Sequence, residues 1–191
     1  MGAKNRHLTI EEVRATFAAL GLERSRLSPR NQAMFAFGCF TGFRAEEILS
    51  VRLGAVLTPA GSLRPSVMVG AEDMKGGKLA RSVTLTNRIE PILRPWLDRM
   101  REYGLGLPDH YLFCQLNGKR LTYGALYNIV TRAYKKADVR KTALGTVATH
   151  AMRKTYAMDA FNEGMSVDPA RAIFFTRDAL GHKDIASTER H

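Results

Sequence analysis

The sequence predicts a mainly helical α+β fold, with helices arranged around a small antiparallel sheet. Two patterns carry that expectation. Apolar residues recur at helical spacing behind recognisable caps near both ends of the chain. Between them, two short β-prone runs flank a tip rich in Gly and Lys. No alternating strand–helix rhythm suggests a doubly wound sheet.

The first helix starts at a capping box, Thr9 with Glu12, followed by Val13, Phe17 and Leu20 on one face. Ser28-Pro29 reads as N-cap and first residue of a second, apolar helix running through Met34, Phe35 and Phe37 to Phe40. Thr41-Gly42 interrupts it. A further segment starts near Arg44, with Ile48, Leu49 and Leu53 inward. Ser66 to Val69 and Arg81 to Leu85 read as strands joined by the AEDMKGGKLA tip. Asn87 is the expected cap of a helix whose stripe is Ile89, Ile92, Leu93, Trp96, Leu97 and Met100. Tyr111 to Cys114 reads as one more short strand. Helices are then expected from Thr122, over His150 to Phe161, and over Asp168 to Leu180.

The 191 residues fit one domain, 1–191, with 45% hydrophobic and 25% charged residues, which is ordinary globular material. The charge is not ordinary. Twenty-nine Lys and Arg against 18 Asp and Glu leave +11, an excess that suggests a polyanionic partner. The two cysteines, Cys39 and Cys114, make neither a disulfide framework nor a zinc motif, which fits a reducing, cytoplasmic setting. No apolar run approaches the ~18 residues of a membrane span, and the polar N-terminus is no signal peptide. Neither MKGGK nor Gly118-Lys119 meets the phosphate-loop pattern, and no GxGxxG follows a strand. No metal and no cofactor is expected.

Four scattered runs remain: TGFRAEE, MKGGK, THAMRKTYA and ALGHKD. Each alone has a plain explanation. Arg44 and Glu47 form an i,i+3 ion pair, Lys75 and Lys78 are charges on a solvated tip, and Gly181-His182 is a helix C-cap. Together they fit one chemistry. His150 and Arg153 share a helix face, and two arginines can offer planar forks to phosphate oxygens. Such a cage neutralises a phosphoryl transition state without a metal, and a hairpin lysine can protonate a leaving 5′-oxygen.

On these runs the sequence resembles the catalytic domain of the tyrosine recombinases, the phage integrase family. The pattern TG-x-R-x-x-E falls on Thr41, Gly42, Arg44 and Glu47; the hairpin lysine on Lys75; the H-x-x-R box on His150 and Arg153; and the LGH box on Leu180, Gly181 and His182. The boxes come in the family's order. The resemblance implies that Arg44 and Arg153 clamp the scissile phosphate and that Lys75 is the general acid, with Lys78 its rival. It implies that His150 assists proton transfer, that His182 bonds a non-bridging oxygen, and that Glu47 orients the His-x-x-Arg pair. Lys78, Arg132, Lys135 and Lys136 are candidate DNA contacts.

The departure is the nucleophile. The family carries a tyrosine about nine or ten residues after the LGH histidine, where this sequence has His191 and then ends. The expectation is therefore a catalytic domain cut before its tyrosine, without the family's N-terminal core-binding domain. The parent would be a site-specific recombinase working through a 3′-phosphotyrosyl link, as a homotetramer on double-stranded DNA, and this chain would be a monomer in solution. A non-catalytic DNA-binding protein that kept the cage is the alternative reading. A type IB topoisomerase relative shares the cage logic, but the TGFR and LGH boxes fit it less well.

Overall fold

The computed structural model describes residues 5–23, 25–69, 81–85, 87–140, 142, 145–182 and 185–189. It is mainly helical around one two-stranded sheet. Helix α1 spans Ile10–Gly21 and has the expected capping box: Thr9 Oγ1 accepts from the Glu12 N–H, and the Glu12 carboxylate accepts from the Thr9 N–H. Arg6 holds both Glu12 oxygens at 2.6 Å and donates to the Arg140 carbonyl, and the Leu8 N–H reaches Thr155 at 3.0 Å. The leading segment is thus fastened to the C-terminal half before α1 begins.

Helix α2, Ser28–Thr41, is the central element. Ala33, Met34, Phe35 and Phe37 are fully buried, and the Phe37 ring meets Phe43 and Phe113 edge-on. Its N-cap is Leu27, one residue before the expected Ser28, because the Ser28 hydroxyl turns back to accept from the Ser25 N–H. Short helices α3 (Ala45–Ser50) and α4 (Leu53–Val56) follow. Strands β1 (Ser66–Val69) and β2 (Arg81–Thr84) pair antiparallel, with Val67 opposite Val83, as the sequence predicts.

Two local expectations fail. Helix α5, Glu90–Glu102, is preceded by Ile89 with no side-chain cap, and Asn87 lies in the turn before it. Apolar burial of Ile89, Leu93, Trp96 and Met100 holds that end without a cap. Tyr111 to Cys114 forms no strand. It makes isolated bridges to Arg52 at one end and Arg120 at the other, and the Leu112 carbonyl is taken by the Trp96 indole N–H at 2.7 Å.

The last third is helical: α6 (Tyr123–Lys136, capped by Thr122), α7 (Thr149–Val167), α8 (Ala172–Leu180) and α9 (Ile185–Glu189). Helix α7 runs past the expected Phe161. Asp168 caps a 3-10 turn over Pro169–Arg171 instead of opening α8. Both cysteines are buried and free. Among the described residues no helix is long and apolar enough to cross a membrane.

The turn after α2 aims the first functional residue. The Thr41 hydroxyl donates to the Phe37 carbonyl at 2.7 Å and accepts from the Phe43 N–H. Gly42 takes the left-handed conformation, φ 59°, and a Cβ there would stand 2.3 Å from the Tyr156 ring. Phe43 then sinks into the core, which turns Arg44 outward. Gly42→Ala carries both backbone strain and a clash, and is expected to cost about 2–4 kcal/mol in urea unfolding. A loss below about 1 kcal/mol would show that the turn can relax.

Candidate phosphate-binding site

A cavity of about 250 Å³ opens where α3, the start of α6 and the start of α7 meet; its walls include Arg44, Glu47, Tyr123, Thr149, His150 and Arg153. Three residues of the expected cage therefore share one site. A further member, His182, joins it through Arg153.

Arg153 sits almost fully buried on α7, 1% exposed. Its Nη1 donates to the Gly42 carbonyl, and its Nη2 donates to the Leu180 carbonyl at 2.9 Å and meets His182 Nε2 at 3.0 Å. Three of its five N–H groups are thereby directed to the α2–α3 turn and to the end of α8. Gly181, left-handed at φ 63°, ends α8 as predicted and brings His182 round. Arginine has no acceptor, so His182 Nε2 accepts. The hydrogen of the neutral ring then belongs on Nδ1, which donates to Thr188 Oγ1 at 3.0 Å.

Arg44 is the accessible cation, with its side chain 46% exposed. Glu47, 2% exposed, accepts from the Arg44 backbone N–H at 2.7 Å and from its Nη1 at 2.8 Å. These bonds form the i,i+3 pair that the sequence spacing offered, and through them the buried carboxylate orients Arg44. A two-point hold on one arginine restricts its fork far more than an exposed ion pair would.

His150 opens the next helix. Burial, then the charges of Arg153, Lys154 and Arg44, lowers its pKa from 6.5 to about 4. The ring is neutral at neutral pH, and a proton taken up there makes it a cation among other cations, which an entering anion would offset.

Lys75, Lys78 and His191 lie outside the described residues. Arg132, Lys135 and Lys136 are exposed along α6 and do not line this cavity; Lys136 pairs with Glu23 at 2.8 Å. The lining residues not picked out as functional in the sequence include Tyr123 and Thr149. Tyr123 reads as packing, yet is 47% exposed, and its hydroxyl lies 3.4 Å from Thr149 Oγ1. Its signal was position: first residue after the Thr122 cap, on the shoulder of the apolar stripe and not at its centre. Thr149 had only adjacency to His150. Among the described residues no group of three His, Cys, Asp or Glu could hold a metal ion.

The phage integrase family model matches residues 6–191, so the chain belongs to the phage integrase family, and its fold is that of tyrosine recombinase catalytic domains. It is 24% identical over 181 residues to the tyrosine recombinase XerH of Helicobacter pylori, covering 94% of this chain and 46% of that protein. It is 25% identical over 183 residues to the tyrosine recombinase XerD of Staphylococcus aureus, covering 95% of this chain and 56% of that protein. The chain thus spans about half the length of the curated relatives it matches. Among solved structures, XerA recombinase superposes with a TM-score of 0.73 at 21% identity, over 98% of this chain and 60% of that one. XerH bound to its difH substrate superposes with a TM-score of 0.72 at 22% identity, over 98% of this chain and 50% of that one.

The lowered pKa of His150 has a consequence for stability. In the unfolded chain the ring takes up a proton near 6.5, and in the folded chain only near 4. Its contribution to stability is full above 6.5 and is lost as pH falls from there towards 4. In a ring-proton NMR titration the His150 resonance is expected to move near pH 4, and to move upward in pH when an anion enters. A midpoint at 6.5 or above in the free protein would contradict the cationic, desolvated site.

Proposed function

We propose that this chain is the strand-cleaving and rejoining domain of a site-specific DNA recombinase, and that the Arg44–His150–Arg153 cavity holds the scissile phosphate. The observation that carries the reading is the convergence on Arg153 of three sequence-distant boxes: Gly42 beside Arg44, the His150–Arg153 pair, and Leu180 with His182. Family membership and the DNA-bound XerH and lambda integrase structures of the same fold support DNA as the partner.

In this reading the exposed Arg44 fork, held by Glu47, grips two non-bridging oxygens, and Arg153 stabilises them from beneath. A tyrosine oxygen attacks phosphorus and a 3′-phosphotyrosyl bond forms. The bond to the 5′-oxygen breaks, and Lys75 supplies the proton that the leaving 5′-hydroxyl needs. The reverse reaction with a partner strand restores a phosphodiester, so bond number is conserved and no external energy source is required. In this reading the phenol proton passes to the neutral His150 ring, whose added charge the bound phosphate offsets. His182 Nε2 is engaged with Arg153, so its contact with phosphate requires that bond to yield. The nine residues after His182 contain no tyrosine, so the nucleophile is not among the residues assigned here. We further propose that strand exchange proceeds within a homotetramer on two DNA sites, with Arg132 and Lys135 on the outer face of α6 serving as backbone contacts.

The test is binding and trapping with these 191 residues. They are expected to bind a mixed-sequence duplex with affinity that falls steeply with salt, and Arg44→Ala is expected to flatten the log–log salt slope by about 0.9, one phosphate contact. No SDS-stable adduct is expected on a nicked suicide duplex. An unchanged slope in Arg44→Ala would remove the clamp from the mechanism. A covalent adduct would show that a residue within this chain is the nucleophile.

A further inference from the structure

Tyr123 is the lining residue that the mechanism leaves unused. It is the first residue of α6, half exposed, with its side chain in the wall of the cavity that holds Arg44, His150 and Arg153. A large aromatic side chain exposed beside three basic groups is not there to fill a core. Tyr127, one turn on, lies with its ring centroid 6.3 Å away and tilted by 30°, which restrains the Tyr123 ring from behind without entering the cavity.

The hydroxyl has a defined neighbour. Tyr123 Oη and Thr149 Oγ1 are 3.4 Å apart, and Thr149 directly precedes His150. Two hydroxyls that share one hydrogen bond use one of their two protons in it. When Thr149 donates to Tyr123, the phenol proton is directed elsewhere, and the phenol is the more acidic donor of the two. The carboxylates in the same wall are engaged elsewhere, Glu46 by Arg120 and Glu47 by Arg44, so an anion drawn in by Arg44 and Arg153 is a fitting acceptor for it.

We propose that Tyr123 is a further phosphate-contacting residue of the site. Its hydroxyl donates a hydrogen bond to a non-bridging oxygen of the bound phosphate, and Thr149 aligns it. The inference rests on the reading of the cavity as a phosphate site, and adds a neutral, directional donor to a cage otherwise made of cations and imidazoles. A cation pulls phosphate in from any direction. A phenol held by Thr149 and Tyr127 accepts only one orientation of it, so this contact selects geometry more than it adds charge.

The test uses inorganic phosphate as the probe, titrated at constant ionic strength and followed by the His150 ring resonances. Variants are Tyr123→Phe, Tyr123→Ala, Tyr127→Phe and Arg44→Ala. Losing one neutral hydrogen bond is expected to raise the phosphate Kd roughly two- to tenfold in Tyr123→Phe, with Tyr123→Ala at least as weak and Tyr127→Phe like the parent. Thermal unfolding without phosphate should be nearly unchanged in Tyr123→Phe, since the one bond lost, to Thr149 at 3.4 Å, is long and belongs to a half-exposed residue; a markedly lowered Tm there would assign Tyr123 a structural role and overturn the proposal. If Arg44→Ala weakens phosphate and Tyr123→Phe does not, the inference fails while the phosphate site stands. If Arg44→Ala also leaves the Kd unchanged, or the parent binds no phosphate, both fail together.

Discussion

The buried guanidinium of Arg153 is the constraint on which the rest of the site depends. A charge this far from water is tolerated only when its donors are met. Here the carbonyls of Gly42 and Leu180 and the ring of His182 meet three of them. Those partners come from the turn after α2 and the end of α8, so one side chain of α7 ties together segments more than a hundred residues apart. Satisfying Arg153 and assembling the site are one event. Arg44 is then free to face solvent as the adjustable part, because Glu47 and the left-handed Gly42 fix where it starts.

The electrostatics follow from that arrangement. The cavity wall sets Arg44 and Arg153 beside the carboxylates of Glu46 and Glu47, and His150 stays neutral first because it is buried and then because Arg153, Lys154 and Arg44 lie near it. An anion entering such a site meets donors that are already oriented, which lowers the reorganisation needed as charge builds on phosphate oxygens. The surplus of +11 over the whole chain serves a different purpose, long-range attraction to a polyanion, and its carriers on α6 lie outside the cavity.

Much of this was legible in the sequence, for physical reasons. Thr9 with Glu12, Thr122, and the left-handed glycines at 42 and 181 are local signals, and local backbone chemistry decides them. The boxes around Arg44, His150–Arg153 and His182 could be recognised because each candidate side chain is set in a short run whose turn or helix fixes its place. What was not legible depended on tertiary contact. Asn87 gave way to apolar burial at the start of α5, and Tyr111 to Cys114 lost its strand because Trp96 claims the Leu112 carbonyl. The bond from His182 to Thr188 and the place of Tyr123 in the cavity wall depend on how α9 and α6 dock. The Arg44–Glu47 pair was legible from its i,i+3 spacing, but the burial of its carboxylate was not.

The central claim is that three distant segments form one phosphate site through Arg153. Hydrogen exchange with and without duplex DNA tests it most directly. The account predicts that residues 41–47, 149–153 and 180–182 gain protection together, with the same dependence on DNA concentration. Protection confined to the exposed face of α6, with those three segments unchanged, would contradict it.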